Sequence, residues 1–498
     1  MRRLAPFACS LLLTLALAPA AGARWFAAEA VDGPGAIERA AVDLAREQGG
    51  GLVYVKSGRA WLARLTRGRW AAPVVISGTG TTDAVVAAGE NDTLVVAWVQ
   101  GGVVYGARAG SAPVALSTGT GAADLAIDIG VNGVAYVVWA QNGDVRAARL
   151  DTAWRAVPAP LDIDPAHSAG TGTSRPRVAV AADGSAVVVW GEALPDGRTH
   201  VFARRVYGTT LSVLPQDATL QAFEGGAGGA ADSPQVDVEF DRSYAWVAFR
   251  QTIGGRSRTI ARRLRASTFE APFALDRGIA SAQPHLSMSS GGIGHAVSVT
   301  AGGLLYGARL RDDVFGVAAR SDGAGAVSEA AVATSERNDS ALVWRAGAVV
   351  RGRLAPEHGR LGGEAVLSRS SLGAAVAGEP SVSSNRVGDV AVAVLQGAAG
   401  QRSVGVAMFD HPPSRPRLRS VRSEVGPRPL IRWTPGQEFV GRQRFRVLVN
   451  RRVVKTTPRR TFRLKRLRGG KHTVQVVAVD RRGQRSPVSR RVTFRVRR

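Results

Sequence analysis

The chain of 498 residues has one cysteine, Cys9, and it lies in a segment expected to be removed on export. A mature protein without cysteine has no disulfides, no thiolate catalysis and no cysteine-ligated metal, and a chain this long buries enough surface to fold without staples. Histidine is scarce too. The seven, His167, His200, His285, His295, His358, His411 and His472, are scattered, and none forms the i, i+4 pair of a helical zinc site. Asp162-Ile163-Asp164-Pro165-Ala166-His167 lacks the glycine turn and distal glutamate of a calcium loop. Glycine-rich stretches such as Gly225 to Ala230 precede no Lys-Ser or Lys-Thr, so they read as turns rather than phosphate cradles. Neither a metal nor a cofactor is expected.

Long apolar runs are also missing. The run from Leu11 to Ala18 is too short to span a bilayer. Arg2 and Arg3 precede it and Ala21-Gly22-Ala23 follows, so residues 1–23 are expected to be a secretory signal, with no transmembrane segment in the mature chain. Acidic residues are nearly absent from one end. Between Arg415 and Arg498 there are 27 lysines and arginines against Glu424, Glu438 and Asp480, whereas the whole chain carries a net charge of +26. The body is therefore close to neutral and the end is strongly basic.

What fills the body is a repeat. An apolar strand with an aromatic near its end, a polar turn and a second strand closing on Ala-Arg or Gly-Arg recurs eight times, as in TLVVAWVQGGVVYGARA and AYVVWAQNGDVRAARL. With Val55, Trp98, Trp139, Trp190, Phe249, Val299, Trp344 and Val394 as equivalent points, the spacing is that of propeller blades rather than of short solenoid repeats. A strand precedes each hairpin, such as Pro176 to Gly184, and another follows, such as Trp70 to Gly78, which makes four strands per unit. The eighth copy runs into HPPSRPR, where three prolines stop a ladder, and RWFAAEAVDG from Arg24 echoes the missing outer strand. The expectation is an all-β, eight-bladed propeller over residues 24–410, closed by its N-terminal strand. It has seven blades if the sixth unit, around His295 to Leu310, where no aromatic marks the anchor, is not one. Ala36 to Gln48 also has helix-compatible spacing, but a strand over Ala40 to Ala45 keeps the order of the other copies. The anchor aromatics read as packing between blades.

A Pro-rich linker, 411–416, introduces a basic domain over 417–498 with seven alternating segments, the strand count of a sandwich. Trp433 sits where a second-strand core tryptophan belongs, Phe445 opens the third strand, and VQVVAVD is followed by GQRSP. In these residues the domain resembles the fibronectin type III family. His472 stands where that family has a corner tyrosine, and a buried histidine hydrogen-bonding in its place is expected. The loop Asp480-Arg481-Arg482-Gly483 contains no RGD-type adhesion tripeptide. Alternation points Phe445, Val447 and Val449 inward and Arg444 and Arg446 outward, and sets Phe494 and Val496 against Arg495 and Arg497. If the third and last strands flank the sixth, as the resemblance implies, Arg444, Arg446, Arg495 and Arg497 form one positive surface. Arg463 and Lys465 then add charge to the other sheet. Guanidinium forks suit phosphate and carboxylate, so these six residues are the candidate polyanion site.

The sequence thus points to an exported, non-enzymatic binding or scaffold protein. The propeller would present a recognition face for an unidentified protein or glycan, and the basic domain would tether it to an anionic cell-envelope polymer or polysaccharide. Nucleic acid is an unlikely partner, since aromatics are not interleaved with the basic residues and export removes the chain from it. The alternative is a secreted propeller enzyme of the polysaccharide lyase or glycoside hydrolase type. No nucleophile elbow is visible, and Ala182-Asp183-Gly184-Ser185 before Trp190 has the wrong spacing for a sialidase-type Asp box.

Overall fold

Several hairpins in this chain turn on two successive residues that take positive φ. Examples are Gly101-Gly102, between Leu94–Gln100 and Val103–Arg108, and Asn142-Gly143, between Ala135–Gln141 and Asp144–Leu150. The computed structural model describes residues 22–46, 49–66, 68–163, 166–212, 214–219, 228–239, 244–279, 281–323, 325–438 and 442–497. Most of the expected signal, Cys9 included, and part of Gly225 to Ala230 lie outside the described residues. The chain divides into a unit spanning Arg24–His411 and a C-terminal unit that starts at Pro412.

The first unit holds eight antiparallel meander sheets. Their innermost strands, in order, are Ile37–Leu44, Thr81–Ala88, Ala122–Ile129, Arg177–Val180, Ala231–Val238, Ser281–Met288, Val327–Thr334 and Val376–Ser384. Each innermost strand touches the next and the eighth touches the first, which gives a propeller-like, all-β ring. Ile37–Leu44 is a strand despite its helix-compatible spacing, because Val42 and Leu44 pack with Leu52 and Tyr54 in one core. The outermost strand of the eighth sheet comes from the other end of the chain: Arg24–Gly35 pairs with Arg402–Asp410, Trp25 opposite Phe409. The outermost strand is split in four sheets, as in Arg69–Trp70 and Val74–Val75 of the first. In three of the four, a proline (Pro73, Pro215 or Pro272) precedes the second piece, where it withholds a ladder donor.

Side chains of each second strand point alternately to the preceding and the following sheet, so one residue of slip changes the neighbour. Trp98 packs back on Val53 and Val55 of the first sheet, and Trp139 packs back on Ala97 and Val99 of the second. Val55 and Val299, the sequence equivalents of Trp98, do not hold that place. Val55 faces forward onto Trp98, and Val299 faces forward onto Trp344. By register the backward-facing residues are Tyr54, packed with Ala393 and Leu395 of the eighth sheet, and Ser298. The sixth sheet is thus polar where six others are aromatic and the eighth has Val394, and His295 Nδ1 and Ser298 Oγ are buried there without hydrogen-bond partners among the described residues.

Two latches recur at the repeat spacing. Two residues after the anchor tryptophan, a polar side chain accepts the indole N–H: Trp139 Nε1 donates to Gln141 Oε1 at 3.1 Å, and Trp190 Nε1 to Glu192 Oε2 at 3.0 Å. Gln141 then donates to the carbonyls of Thr118 and Thr120, which tie the sheet to the loop before it. The second latch sits near the end of the outer strand in six of the sheets, where a serine or aspartate accepts an N–H near the start of the third strand. Ser77 takes Ala60, Ser117 takes Val104, Asp162 takes Val145, Asp276 takes Thr259, Asp322 takes Leu305 and Ser368 takes Val350.

The C-terminal unit has a sheet of Arg417–Leu418, Leu430–Thr434 and Thr461–Arg463, and a second ordered Glu424–Val425, Val492–Val496, Gly470–Val479, Arg444–Val449, Arg452–Thr457. Between them lie Ile431, Trp433, Phe445, Val447, Leu464, Val476 and Phe494. Trp433 meets Phe445 at 5.5 Å between ring centroids. Glu424–Val425 is an addition to the seven segments read from sequence, pairing parallel to Arg495 and Val496. His472 is half-buried rather than buried; its Nε2 lies 2.8 Å from the Arg468 carbonyl. The end of the Pro-rich linker also belongs to this unit, since Ser414 N donates to the Gln437 carbonyl.

The outer-strand latches differ in cost. Asp276 is fully buried and accepts from both Thr259 N and Arg258 Nε, so Asp276→Ala breaks a buried ion pair as well as an amide bond and is expected to destabilise by about 3–5 kcal/mol. Ser117→Ala loses a single neutral bond and should cost about 1 kcal/mol. Urea titrations of the two variants check the contrast; equal losses would mean that Asp276 acts only as one more acceptor.

Candidate functional site

The innermost strand of each sheet is an edge strand, and its channel-side N–H groups have no ladder partner. Side chains of the preceding sheet supply acceptors. Asp43 accepts Ala88 N at 2.7 Å, Asp128 accepts Val180 N at 2.6 Å and Asp237 accepts Met288 N at 2.8 Å. Ser287 accepts Thr334 N, and Ser383 accepts Leu44 N, which links the eighth sheet to the first. The three aspartates hold equivalent positions in the first, third and fifth sheets, opposite Gly51, Tyr136 and Trp246. They are reachable along the ring axis and enclosed by protein on every other side. Burial pushes Asp43 up to about 7, Asp128 to about 6 and Asp237 to about 7, against the pull of the amide bonds, and the Asp128 charge adds to the rise at the other two.

These acids divide the axial channel. A cavity of about 220 Å³ on one side is lined by Asp43, Asp128, Asp237, Glu239, Glu336 and Arg46 among others. Arg46 there bridges Glu90 at 3.2 Å and Glu336 at 3.1 Å. On the other side a recess of about 300 Å³ is lined by Asp43 and Asp128 again, with Arg177, Gln235, Ser381 and the side chains of Val85 and Ile127. Ion pairs surround this second recess. Arg39 reaches Asp83 at 3.0 Å, Arg175 reaches Glu379 at 3.3 Å, Arg345 reaches Glu329 at 3.8 Å, and Arg250 Nε donates to Asp232 at 2.7 Å. His285 Nδ1 lies 3.5 Å from Glu379. Burial alone would raise Glu379, but His285, Arg177 and Arg175 outweigh it and hold the carboxyl below its usual range. Burial also holds His285 down, so this ring of charges is near balance.

The second candidate region is the basic unit, and there the sequence-derived set divides. Arg444, Arg446, Arg495 and Arg497 share the outward face of the five-stranded sheet but do not form one surface. Arg444 is opposite Val479 and Arg495 is opposite Lys471, eight residues apart on the strand between them, or roughly 27 Å at about 3.4 Å per residue. Both strands flank Gly470–Val479, yet they pair with opposite ends of it. Arg497 is moreover engaged by Glu424, its Nε donating at 2.7 Å. The other sheet is more concentrated. Arg463 and Lys465 are exposed on it, Arg463 opposite Leu430. Two arginines that the alternation argument passed over join them: Arg419 N donates to the Arg432 carbonyl, so the two exposed side chains stand directly across from one another. Arg463 is diagonal to Arg432, since Thr461 is the residue opposite it. Cross-strand neighbours are about 5 Å apart and diagonal ones about 7–8 Å at the β-carbons, and like charges so placed repel. The signal lay in RLR and LIRWT, where arginine alternates with core residues just as it does in RFRV.

Smaller motifs resolve into turns. Asp183 Oδ1 accepts both Ser185 N and Ser185 Oγ, which fixes the hairpin before Trp190. Among the described residues no group of three or more His, Cys, Asp or Glu is placed to hold a metal ion.

No family model matches the sequence, and no curated protein is similar to it. Solved structures similar in fold include propeller proteins. The Dos1 propeller aligns at 11% identity over 77% of this chain and 95% of its own, with a TM-score of 0.44. A protein of unknown function from Dyadobacter fermentans aligns at 14% identity over 66% and 94%, with a TM-score of 0.38. The GH93 α-L-arabinofuranosidase of Fusarium graminearum, in complex with arabinobiose, aligns at 10% over 58% and 92%, also with a TM-score of 0.38.

The raised aspartates have a measurable consequence. The folded state keeps protons that the unfolded chain releases above its carboxyl value of 3.8, so these groups lower stability as pH rises from about 4 to 7, and the loss is complete above 7. His295, held near 3 by burial, acts with the opposite sign and removes stability as pH falls below 6.5. Asparagine cannot ionise, but it offers one acceptor oxygen where the carboxyl offers two to Val238 N and Met288 N. Asp237→Asn should therefore be less stable than the parent at pH 4, with the deficit shrinking as pH rises to 8; melting curves at the two values test this, and a deficit that grows at pH 8 would refute it.

Proposed function

We propose that this is an exported, non-enzymatic binding or scaffold protein. In this reading an eight-bladed propeller presents its axial openings for recognition, and a fibronectin type III-like sandwich binds an anionic cell-envelope polymer. Eight cyclically packed meander sheets support the first half. The second half is supported by a three-plus-four strand arrangement, with Glu424–Val425 as an added edge.

The observation that carries the functional reading is the apposition of Arg419, Arg432 and Arg463 on one exposed sheet face, with Lys465 beside them. Such an arrangement is self-repelling on its own and is relieved by an anion, and guanidinium forks bond phosphate and carboxylate oxygens in pairs. Arg444 with Arg446, and Arg495, offer two further and separate points of contact along an extended polymer. No salt bridge neutralises any of Arg419, Arg432, Arg444, Arg446, Arg463, Lys465 or Arg495 among the described residues.

A second reading, a lyase or glycoside hydrolase, is favoured by the meeting of Asp43, Asp128 and Asp237 in one channel. Against it, each of them already accepts an amide from the next sheet and one from its own strand. An acid or base so engaged is a poor proton carrier.

The test titrates the mature chain against a phosphate-containing envelope polymer, duplex DNA and neutral dextran across a range of salt. The expected result is binding to both polyanions, none to dextran, and affinity falling steeply with salt as counterions are released. Each lost contact lowers the log-log slope by about 0.7–0.9, so the triple change R419S, R432S and R463S should lower it by about 2. A salt-insensitive affinity, or an unchanged slope in the variant, would remove the proposal. Cleavage of the polymer would favour the enzyme instead.

A further inference from the structure

Arg177 differs from every other arginine named around the ring axis. It begins the innermost strand of the fourth sheet and lines the 300 Å³ recess. Arg39, Arg175, Arg250 and Arg345 each reach a carboxylate within 4 Å, whereas among the described residues Arg177 is in no salt bridge and its Nε is buried without a hydrogen-bond partner. Glu379, Asp83 and Asp124 influence it only from a distance, and each has another partner: Arg175, Arg39 and the Gly172 N–H. Burial lowers Arg177 to about 10, which still leaves it charged at neutral pH. An enclosed cation that cannot shed its proton and has only distant carboxylates to answer it is costly, and an incoming anion removes that cost.

The rest of the recess narrows the kind of anion. Gln235 has an amide that makes no hydrogen bond within the described chain, and Ser381 Oγ accepts Val42 N at 3.1 Å while keeping its own proton to donate. Val85 and Ile127 supply apolar wall, and the floor is Asp43 and Asp128. A volume of about 300 Å³ lies at the lower limit of small-molecule sites, so the occupant is compact. We propose that this recess binds a small carboxylate-bearing ligand of monosaccharide size, its carboxylate held by the fork of Arg177 and its polar groups by Gln235 and Ser381. The site belongs to the ring alone and is independent of the basic unit, so polyanion binding and this binding fail separately.

The experiment uses the mature chain in calorimetric titrations at pH 5.5, where both floor carboxyls are mainly protonated. The probes are D-glucuronate, a blocked dipeptide with a free C-terminal carboxylate, and D-glucose as the neutral control. Binding of glucuronate or of the peptide acid at least about tenfold tighter than glucose is expected, and whichever binds names the source of the carboxylate. Arg177→Met should reduce that binding at least tenfold and also raise the melting temperature of the unliganded protein, because it removes an unpaired enclosed charge. Arg177→Lys should retain part of the affinity. Arg175→Gln, which disturbs a rim pair instead, should leave carboxylate binding within about threefold. Equal binding of glucose and the two acids, no binding of either acid, or undiminished binding by a folded Arg177→Met variant would each overturn the proposal.

Discussion

The structure of the ring depends on how its inner edges are satisfied. Eight sheets converge on one axis, and each brings an edge strand whose amide groups would otherwise face the channel without a ladder partner. At most of the junctions a carboxylate or hydroxyl from the preceding sheet accepts one of those amides, as Asp43 does for Ala88 and Ser383 for Leu44. The bond fixes the stagger between neighbouring sheets and brings the fitted cores into register, Trp98 against Val53 and Trp139 against Val99. The cost is that acids must be enclosed, which is why three carboxyls are shifted upward in the middle of the channel.

That same constraint shapes what the channel can do. A carboxyl occupied by two amides is a fastener, and it partitions the axis into a cavity rich in acids and a recess with an isolated guanidinium. The ionic ring outside the recess is nearly balanced, so Arg177, in no salt bridge among the described residues, sets the chemistry that the recess is proposed to select. In the basic unit the balance is lost altogether. Few acids are present to answer the arginines, and the sheet geometry brings like charges across from one another instead of spreading them.

Much of the ring was legible in the sequence because strands have a period of two and the repeated phrase marks the central hairpin of each sheet. The strand over Ile37–Leu44 could be chosen over a helix from its place before a hairpin. Two kinds of information were less legible. Anchor positions slipped by one residue at Val55 and Val299, where no tryptophan marked the register, and a slip of one turns a side chain toward the other neighbour. The latches Trp-x-Gln and the outer-strand serine or aspartate are short and chemically ordinary, and only their hydrogen bonds separate them from turn residues. In the basic unit, alternation correctly separated outward from inward residues at Arg444 and Arg495, but it carries no information on distance along the sheet, and it passed over Arg419 and Arg432.

The sequence by itself determined the all-β character, the number and spacing of the hairpin phrases, the scarcity of cysteine and the partition of charge between a neutral body and a basic end. These are local or additive properties, fixed by side-chain periodicity and by counting. Tertiary structure decided which residues meet. It gathered Asp43, Asp128 and Asp237 from sheets far apart in the chain, left Arg177 without a salt bridge among the described residues, separated Arg444 from Arg495 and set Arg419 against Arg432. The reason is that strand register and the packing of one sheet on the next are set by many contacts at once, and no single stretch of sequence contains them.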